Sequence, residues 1–393
     1  MNRFYSVHIR FQFRRNIIII VLLCTLIMPA CVSQQMPVDT PQIIAMPQLD
    51  GTYTRAAPGK TLQFPQDLGA HNGFQTEWWY YTGNLSDENG LRFGYQLTFF
   101  RRAIAPPDQQ GKRMSEWATE QVYLAHFTLS DVADDGFHYF ERFSRGAAGL
   151  AGAEIEPTYR VWLDHWQVIQ TDDNTYHLTA EDEGIVLDLV LKDIKGIVLQ
   201  GVEGYSQKGP ETGNASYYYS QPRLETEGQV VINGKSHSVT GYSWKDHEFS
   251  TSALSAGQIG WNWFSIQLDD NSEIMVFNIL SEDGIPDPYS SGSVIYPDGS
   301  TKLLTFDQFS INAVDSWQSP HSGAVYPSTW DIFIPSEDIQ LRVTPLMPDQ
   351  ELNLTFTYWE GAVQVSGINK GKPVSGFGYV ELTGYIGSLA GQF

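Results

Sequence analysis

Short segments in which apolar and polar residues alternate constrain the fold of this chain more than any other feature of its sequence. Two clear examples have apolar residues at Ile339, Leu341 and Val343, and at Leu352, Leu354 and Phe356. Turn signals separate such segments at intervals of about 10–15 residues, at Asn233-Gly234, Asp269-Asp270-Asn271, Asp283-Gly284 and Pro297-Asp298-Gly299. A period of two is typical of a half-buried strand. No long segment has the period of an amphipathic helix, so the sequence predicts an all-β barrel or sandwich.

A faint internal repeat indicates the domain organisation. The length of 393 residues suits two to three domains at about 150 residues each. An aromatic pair precedes an acidic turn twice, as Trp79-Tyr80 before Asp87-Glu88-Asn89 and as Trp263-Phe264 before Asp269-Asp270-Asn271. The repetition favours two similar β domains in tandem. Small and polar residues at 250–257 favour a boundary nearby, and we predict an N-terminal domain over residues 50–245 and a C-terminal domain over residues 246–393.

The charge balance speaks against a nucleic-acid partner. The chain has 24 basic and 45 acidic residues and a net charge of −21. A protein that binds nucleic acid needs clustered Lys and Arg to neutralise phosphates. Apolar residues make up 42% of the chain, which also argues against a disordered polymer.

The first 30 residues are predicted to be a signal peptide rather than part of the fold. Four arginines and no acidic residue precede an apolar run over residues 17–28, which is shorter than the roughly 20 residues that a membrane-spanning helix needs. The sequence Met28-Pro29-Ala30-Cys31 that follows is similar to a bacterial lipoprotein cleavage site, which predicts a lipid on Cys31. Ordinary secretion with cleavage nearby is the alternative. Residues 31–49 are predicted to be a tether.

Cysteine usage agrees with export. The two cysteines are Cys24 and Cys31. Cleavage would remove the first and leave the second for the lipid, so neither a disulfide nor a zinc–thiolate site is expected. Residue 32 is Val rather than Asp, which gives no support for retention in the inner membrane. We therefore expect a periplasm-facing protein of the bacterial cell envelope, anchored by lipid, with the outer membrane favoured.

The first candidate site is a carboxylate among aromatic residues in the run Glu77-Trp78-Trp79-Tyr80-Tyr81. On a strand, Glu77, Trp79 and Tyr81 share one face. If that face points into a barrel, burial raises the pKa of Glu77 and makes it a polar anchor in an apolar ligand pocket. The alternative is a structural Glu77 that pairs with Arg101 or Arg102.

The second candidate site lies in the segment 241–249. Alternation places two aromatic residues and two carboxylates on one face, namely Tyr242, Trp244, Asp246 and Glu248. Burial and the charge of its neighbour can hold one of these carboxyls neutral, which makes it an acid at neutral pH. His247 is expected on the opposite face. The alternative is a strand end with solvated acidic residues.

The third candidate is the tyrosine cluster at 217–219, with Arg223 nearby. The rings of Tyr217 and Tyr219 can line a pocket or stabilise a cation, or they can form a packing patch. The tail from Tyr358 to Tyr385 is interpreted as mainly structural. A Gly-x-Ser-x-Gly elbow and a phosphate-binding loop are both absent from the sequence, and the histidines lack metal-site spacing. We expect no cofactor and no metal.

Several motifs together carry a family resemblance. The chain resembles the carotenoid 1,2-hydratase and AttH-like family in stretches that occur in the same order over roughly residues 50–390: QTEWWYYTG at 75–83, FGYQLTFFR at 93–101, WKDHE at 244–248 and the tail at 358–385. The resemblance implies two lipocalin-like β-barrel domains packed in tandem. It also implies a mostly apolar ligand cavity near the domain junction.

The resemblance also implies a reaction and a catalytic residue. The hydratases of the family add water to a terminal carotenoid double bond, and the Asp of their Asp-His motif is the proposed proton donor. That position is Asp246 here. Trp244, Tyr217 and Tyr219 are candidates for aromatic faces that stabilise the carbocation. Glu248 and the lipoprotein-like signal fit the exported branch of the family better than the pigment enzymes.

Two functional hypotheses follow. In the first, a lipid-anchored lipocalin-like protein binds an apolar, isoprenoid or lipid-like ligand, with an export system as a candidate partner. In the second, the protein is an acid-type enzyme that acts on an alkene or isoprenoid through Asp246. A closed cavity with aromatic walls that is lined by both Asp246 and Glu77 would favour catalysis, whereas a salt bridge from Asp246 to Lys or Arg, away from any cavity, would favour binding or a structural role.

Overall fold

The computed structural model describes residues 52–109, 115–251 and 254–389. The predicted signal peptide, the lipid site at Cys31 and the tether lie outside the described residues. Within them, no helix has the length and apolar character required to cross a membrane.

The first sheet contains 13 strands and occupies the N-terminal part of the chain. Its strands are β1 (Thr76–Asp87), β2 (Arg92–Ala103), β3 (Gln121–Asp131), β4 (Gly136–Arg145), β5 (Ala151–Glu154), β6 (Arg160–Leu163), β7 (Trp166–Asp172), β8 (Thr175–Asp182), β9 (Ile185–Asp193), β10 (Val198–Leu199), β11 (Tyr205–Gln207), β12 (Ala215–Ile232) and β13 (Lys235–Ser250). Their order is β4-β3-β2-β1-β13-β12-β9-β8-β7-β6-β5, with β10 and β11 paired to β12. Strand β6 contacts β2, β3 and β4 across the interior, so the sheet curls around its own core.

The second sheet contains 10 strands and is curled in the same way. Its strands are β14 (Gln258–Leu268), β15 (Glu273–Ser281), β16 (Ser291–Ile295), β17 (Thr301–Thr305), β18 (Ser310–Gln318), β19 (Val325–Ile334), β20 (Ile339–Pro345), β21 (Glu351–Asn353), β22 (Thr357–Asn369) and β23 (Lys372–Leu382). Their order is β17-β16-β15-β14-β23-β22-β20-β19-β18, with β21 paired to β22. Among the described residues the helical segments are short 3₁₀ turns at Gln66–Leu68, Pro107–Gln109, Phe306–Gln308 and Pro335–Glu337. The all-β prediction is confirmed, and the two near-barrel sheets agree with two packed lipocalin-like barrels.

The predicted turns lie between strands, with one difference downstream. Asn233 and Gly234 join β12 to β13 with φ of 52° and 71°, which is the left-handed conformation that favours Asn-Gly in a two-residue hairpin. The alternation at Leu352, Leu354 and Phe356 predicted one continuous strand. Instead, Asn353 pairs with Thr357, so residues 354–356 form the turn of the β21–β22 hairpin.

The internal repeat corresponds to equivalent hairpins. Strands β1 and β2 open the first sheet, β14 and β15 open the second, and each opening strand also pairs with the last strand of its sheet. The first sheet continues to Ser250 and the second begins at Gln258. Position 245/246, where we placed the domain boundary, lies within β13.

Each sheet encloses a core, and a third apolar cluster lies between the sheets. Trp79, Phe127 and Leu189 belong to the first core, and Phe264 and Ile332 belong to the second. The third cluster draws on both sheets and includes Tyr80, Tyr218, Trp244, Trp263, Phe277 and Tyr379. The central strands of both sheets therefore bury both of their faces.

Close backbone approach and a buried ion cluster hold the two sheets together. A Cβ atom at Gly94 on β2 would lie 2.5 Å from the Cβ atom of Ala362 on β22, so the strands approach closely because Gly94 has no side chain. Arg223 of the first sheet donates to Glu273 of the second at 2.5 Å, and Lys195 is 3.2 Å from the same carboxylate. These contacts fix the walls of the space between the sheets.

Candidate functional site

Three neighbouring strands of the first sheet form one wall of the inter-sheet space. Their register aligns Tyr80 on β1, Asp246 on β13 and Ser220 on β12 in one row. The adjacent row contains Trp78, Glu248 and Tyr218. Because side chains alternate along a strand, the residues between these positions point into the first core instead.

The second sheet supplies the opposite wall. Trp261 and Trp263 on β14 and Phe277 on β15 face the first sheet, as do Tyr358 on β22 and Glu381 on β23. Trp263 lies opposite Glu381 in the β14–β23 register. The wall is therefore aromatic with a carboxyl group inserted into it.

The two walls enclose a cavity of about 90 Å³. A buried water occupies roughly 10–15 Å³ on this measure, so the cavity has room for a small group and not for a whole long-chain molecule. The cavity is lined by Trp78, Tyr80, Thr98, Phe100, His126, Lys208, Tyr218, Asp246, Glu248, Ser250, Leu254, Trp261, Trp263, Phe277, Ile279, Phe356, Tyr358, Glu381, Thr383 and Leu389.

Three donors hold the carboxyl group of Asp246 in this cavity. Ser220 and Trp244 donate to Oδ1 at 2.5 and 2.7 Å, and Tyr218 donates to Oδ2 at 2.5 Å. Burial nevertheless raises the pKa of Asp246 to about 7, although these hydrogen bonds lower it. In the described part of the chain no Lys, Arg or His forms an ion pair with Asp246. The group is therefore a buried carboxyl that can carry a proton near neutral pH.

Glu248 is the second carboxyl on this wall, and it does have a cationic partner. The ammonium group of Lys208 lies 3.2 Å from Glu248 Oε1. The same ammonium lies 4.2 Å from the ring centre of Phe277 and 5.5 Å from that of Tyr218. The two acidic residues therefore differ, because Glu248 is paired with a cation whereas Asp246 has no such ion pair among the described residues and has a raised pKa.

A hydrogen-bonded chain reaches the cavity from the edge strand β4 of the first sheet. Glu141 lies 3.1 Å from Nε2 of His126, and Nδ1 of the same ring lies 2.8 Å from the hydroxyl of Tyr358. Gln96 donates to that hydroxyl at 3.2 Å. The phenol of Tyr358 is thus held in place by groups on three strands.

Among the residues we singled out, three converge on this cavity. Asp246 and Glu248 line it, and Trp244 donates to Asp246 beside it. Tyr242 is 40% exposed and contacts the guanidinium of Arg223 outside the cavity.

The other candidates point the opposite way. Glu77, Trp79 and Tyr81 on β1, with Tyr217 and Tyr219 on β12, lie in the interior of the first sheet and not in the inter-sheet cavity. Their direct neighbours in sequence face the cavity instead, because both faces of β1 and β12 are buried. The pocket assignment of these five residues is therefore corrected to Trp78, Tyr80 and Tyr218.

Glu77 forms an ion network inside the first sheet. Arg101 donates to its Oε2 at 2.8 Å, while the rings of His71 and His247 lie 2.6 and 2.8 Å from its Oε1. Burial opposes ionisation, but the charges of Arg101 and His71 hold the pKa of Glu77 well below its usual range. This is the structural arrangement with Arg101 that we gave as the alternative.

The same network contains three potential metal ligands. Donor atoms of His71, Glu77 and His247 lie within 4.8 Å of one another. Glu77 already accepts hydrogen bonds from both rings and from Arg101, and the fixed charge of Arg101 opposes a cation at this position. The donor set therefore fits a hydrogen-bonded ion network better than a metal centre.

Lys245 is an unusual neighbour of Asp246. Its side chain is fully buried in the first core, and its amine has no hydrogen-bond partner among the described residues. The amine lies 4.7–5.9 Å from the ring centres of four tyrosines, Tyr81, Tyr159, Tyr176 and Tyr219. Burial lowers the pKa of Lys245 to about 7.

Sequence reasoning missed most of the second wall. Trp263 belongs to the internal repeat and Glu381 to the tail motif, so both were visible but had no assigned role. Phe277 on the second wall, and Lys208 and His126 from the part of the chain that forms the first sheet, had no assigned role, because only the packing of the two sheets brings them together at the cavity.

Comparison with known proteins now places the chain. The AttH-like family profile matches residues 55–385. The chain belongs to the AttH-like family. The resemblance stated from the motifs is thereby confirmed. No curated protein sequence matches the chain.

Two solved structures show how the family fold is shared. A protein described as AttH from Nitrosomonas europaea is 37% identical, with a TM-score of 0.75, and the match covers 85% of this chain and all of that one. Kievitone hydratase from Nectria haematococca is 13% identical, with a TM-score of 0.66, and the match covers 87% of this chain and 98% of that one. At this identity the second match shows the fold alone.

Proposed function

We propose that this AttH-like protein binds the unsaturated end of an apolar ligand between its two sheets and adds water to, or removes water from, a carbon–carbon double bond. The observation that carries the proposal is Asp246, a buried carboxyl that donors orient within an aromatic cavity and that has no cationic partner among the described residues. An acid that is protonated near neutral pH is the group that protonation of an alkene requires.

The reaction balances as a proton transfer followed by capture of water. Asp246 gives its proton to one alkene carbon, the π bond breaks, and a carbocation forms at the other carbon. A water molecule then forms the new C–O bond and loses one proton. Reversal of these steps dehydrates the alcohol.

The walls of the cavity suit a positively charged intermediate. The rings of Trp78, Tyr80, Trp261 and Trp263 present π faces or edges to the space beside Asp246, and aromatic faces attract cations by about 0.5–2 kcal/mol each. The ionised Asp246 that remains after proton transfer adds an opposite charge. Aromatic rings on both walls, together with ionised Asp246, would thus stabilise the carbocation that proton transfer generates.

The volume of the cavity limits what part of the ligand it takes. A space of about 90 Å³ accommodates one branched end of an isoprenoid chain or a comparable alkenyl group, while the rest of the ligand stays outside. We therefore propose a ligand whose reactive double bond is terminal.

The reaction is tested with two alkene probes in ¹⁸O-labelled water. Purified protein is incubated with kievitone, the substrate in the name of the hydratase of similar fold, and with geranylgeraniol, and the products are analysed by mass spectrometry. We expect an alcohol that carries the label. Asp246→Asn should lower turnover by about 100-fold or more and change probe affinity only a few-fold.

The matched control is Asp173→Asn, which changes the same side chain in an exposed turn of the first sheet. It should leave turnover unchanged. Label incorporation that is equal in Asp246→Asn and in wild type would exclude Asp246 as the acid.

A non-catalytic carrier is the second candidate, and the aromatic lining of both walls favours it. Native mass spectrometry with lipid extraction, on protein purified from its own host, tests it. A co-purifying apolar ligand, together with no labelled product from either alkene, would support the carrier over the enzyme.

We also propose that the protein is exported and held at the bacterial cell envelope by a lipid on Cys31, with the membrane and an export system as partners. The basic and apolar N-terminal segment supports this. Mass spectrometry of the mature N-terminus should detect the lipid, and Cys31→Ser should move the protein from the membrane fraction to the soluble fraction. An unmodified Cys31 in the membrane fraction would contradict it.

A further inference from the structure

Two carboxyl groups of the second sheet form a pair that the role of Asp246 does not use. Glu360 on β22 lies directly opposite Glu381 on β23, and Glu381 lies opposite Trp263 on β14. Side chains opposite each other in antiparallel strands have Cβ atoms about 4.5–5.5 Å apart. Glu381 lines the inter-sheet cavity, and Glu360 is fully buried.

The carboxyl groups of Glu360 and Glu381 have few hydrogen-bond partners. Tyr80 donates to Glu360 Oε1 at 2.6 Å, and the indole of Trp261 donates to Glu381 Oε2 at 2.5 Å. The other oxygen of Glu360 has no hydrogen-bond partner among the described residues. In that part of the chain neither carboxyl has a Lys, Arg or His ion-pair partner. Tyr80 therefore links the pair to the first sheet without supplying a positive charge.

A fully buried carboxylate and a half-buried one in this position cannot both ionise without a large cost in free energy. Burial and the charge of Glu381 raise the pKa of Glu360 well above its ordinary value. Burial raises the pKa of Glu381, the hydrogen bond from Trp261 lowers it and the charges of Glu248 and Asp246 raise it, which together place it at about 7. The pair thus retains a proton near neutral pH, and Glu381 is the member that borders the cavity.

We propose that Glu381 is a second acid–base residue of the cavity, on the wall opposite Asp246, and that Glu360 acts through it as a positioning residue. The proposal rests on the proposed function. During hydration, ionised Glu381 accepts the proton that the attacking water loses as the C–O bond forms. During dehydration, protonated Glu381 gives that proton to the departing hydroxyl group.

The protons lost and gained by the two carboxyl groups and water balance over one turnover. Asp246 begins protonated and ends ionised, and Glu381 begins ionised and ends protonated. The net change is one water added to one double bond, and transfer of one proton back to Asp246 through solvent resets the site. Because the two carboxyls stand on different sheets, the proton and the hydroxyl group reach the double bond from opposite walls.

Several other ionisable groups surround Glu381 and set its titration. They comprise Asp246 and Glu248 on β13, Lys208 beside Glu248, Tyr80 on β1, Tyr218 on β12, His126 on β3, and Tyr358, Glu360 and Tyr379 on the second sheet. A measured pKa therefore belongs to a coupled set. Single variants are needed to assign it.

Infrared spectroscopy detects the protonated carboxyl without any substrate. Difference spectra between about pH 5 and pH 9 should show wild type losing carbonyl bands of buried acids as the pH passes about 7. Glu381→Gln should remove part of this signal, and Asp246→Asn a different part. Glu360→Gln should leave the Glu381 band in place and remove the carbonyl band that persists above about pH 7, because Glu360 holds its proton to higher pH than Glu381. The matched control is Glu282→Gln, in an exposed turn of the second sheet. A titrating signal that Glu381→Gln leaves unchanged would overturn the proposal.

Turnover tests the catalytic role. With an alkene that wild type hydrates, Glu381→Gln should lose the rise of kcat with pH that ionisation of a base produces, and kcat should fall by about 100-fold or more. Activity equal to wild type in Glu381→Gln, with Asp246→Asn inactive, overturns this proposal alone. Absence of turnover in wild type overturns the proposed function and this role with it.

Discussion

Asp246 and Lys245 are adjacent in the chain and face opposite cores, and burial disfavours the charge on each. Asp246 binds a proton more tightly in the folded protein, so the unfolded chain loses that proton first as the pH rises above about 4. Between about pH 4.5 and 6.5 this group therefore lowers the free energy of unfolding by about 1.4 kcal/mol per pH unit.

Asp246→Asn should remove that contribution. Urea denaturation at several pH values should give a pH slope that is less negative by roughly 1.4 kcal/mol per unit than in wild type. Asp173→Asn should keep the wild-type slope. Parallel slopes in wild type and Asp246→Asn would mean that Asp246 is not protonated in the folded state.

Lys245 changes the free energy of unfolding with pH in the direction opposite to Asp246. Its pKa is lowered to about 7 in the fold, so the folded protein releases the proton first and the free energy of unfolding rises with pH from about 7 upward. Lys245→Met should stabilise the protein at neutral pH, because it replaces an unpaired buried amine with an apolar side chain of similar length. It should also remove the upward slope between about pH 7.5 and 9.5.

Urea denaturation of Lys245→Met at about pH 7.5 and about pH 9.5 checks both the higher stability and the loss of the upward slope. Lys192→Met, at an exposed position on β9, is the matched control and should change neither the stability nor the slope by more than about 0.5 kcal/mol. If Lys245→Met is less stable than wild type, the attraction between the ammonium group and the four surrounding tyrosine rings exceeds the free-energy cost of burying its charge.

At the scale of the strand, alternation predicted which residues share a face but not which face lines the inter-sheet cavity. Trp244, Asp246 and Glu248 do lie together, as their spacing requires. The inward and outward faces of β1 and β12 are equally aromatic, because one face packs in the first core and the other against the second sheet. The hydrophobic pattern therefore could not show that Trp78 lines the cavity while Trp79 packs in the first core.

The register of β1 also explains why Glu77 has a structural role. Its carboxylate is the only partner for Arg101 that carries a full charge among the described contacts of that guanidinium. Glu77→Gln should lower the free energy of unfolding by about 3–5 kcal/mol, because it leaves Arg101 buried without a counter-charge. Probe binding in the cavity should change little, since Glu77 faces the other way.

Chemical denaturation and a probe-binding titration on the same sample separate these two effects. Glu88→Gln, in the exposed β1–β2 turn, is the control for loss of one carboxylate. A variant that folds normally but loses the probe would place Glu77 in the ligand site after all.

At the scale of the whole molecule, the spacing of the two sheets depends on Gly94. A methyl group there would meet Ala362 at 2.5 Å and would force β2 and β22 apart. Gly94→Ala should therefore cost about 1–3 kcal/mol in the free energy of unfolding. Ala362→Gly in the same chain should recover most of that loss, because it removes the opposing methyl group.

A double-mutant cycle at these two positions measures the coupling. Recovery in the double variant confirms the close approach, and simple additivity of the two single losses would contradict it. The cycle also reports on the cavity, because the strands that meet at this contact carry the two walls.

The filled interiors of the two curled sheets have a consequence for how such proteins diversify. The candidate site consists of side chains on the outer surfaces of the two curled sheets, where the sheets meet, while each sheet retains its own core beneath. Selection can replace the residues at this seam one at a time and alter what is bound or transformed, without disturbing the packing on which folding depends. The same architecture can in this way serve new substrates at low risk to stability.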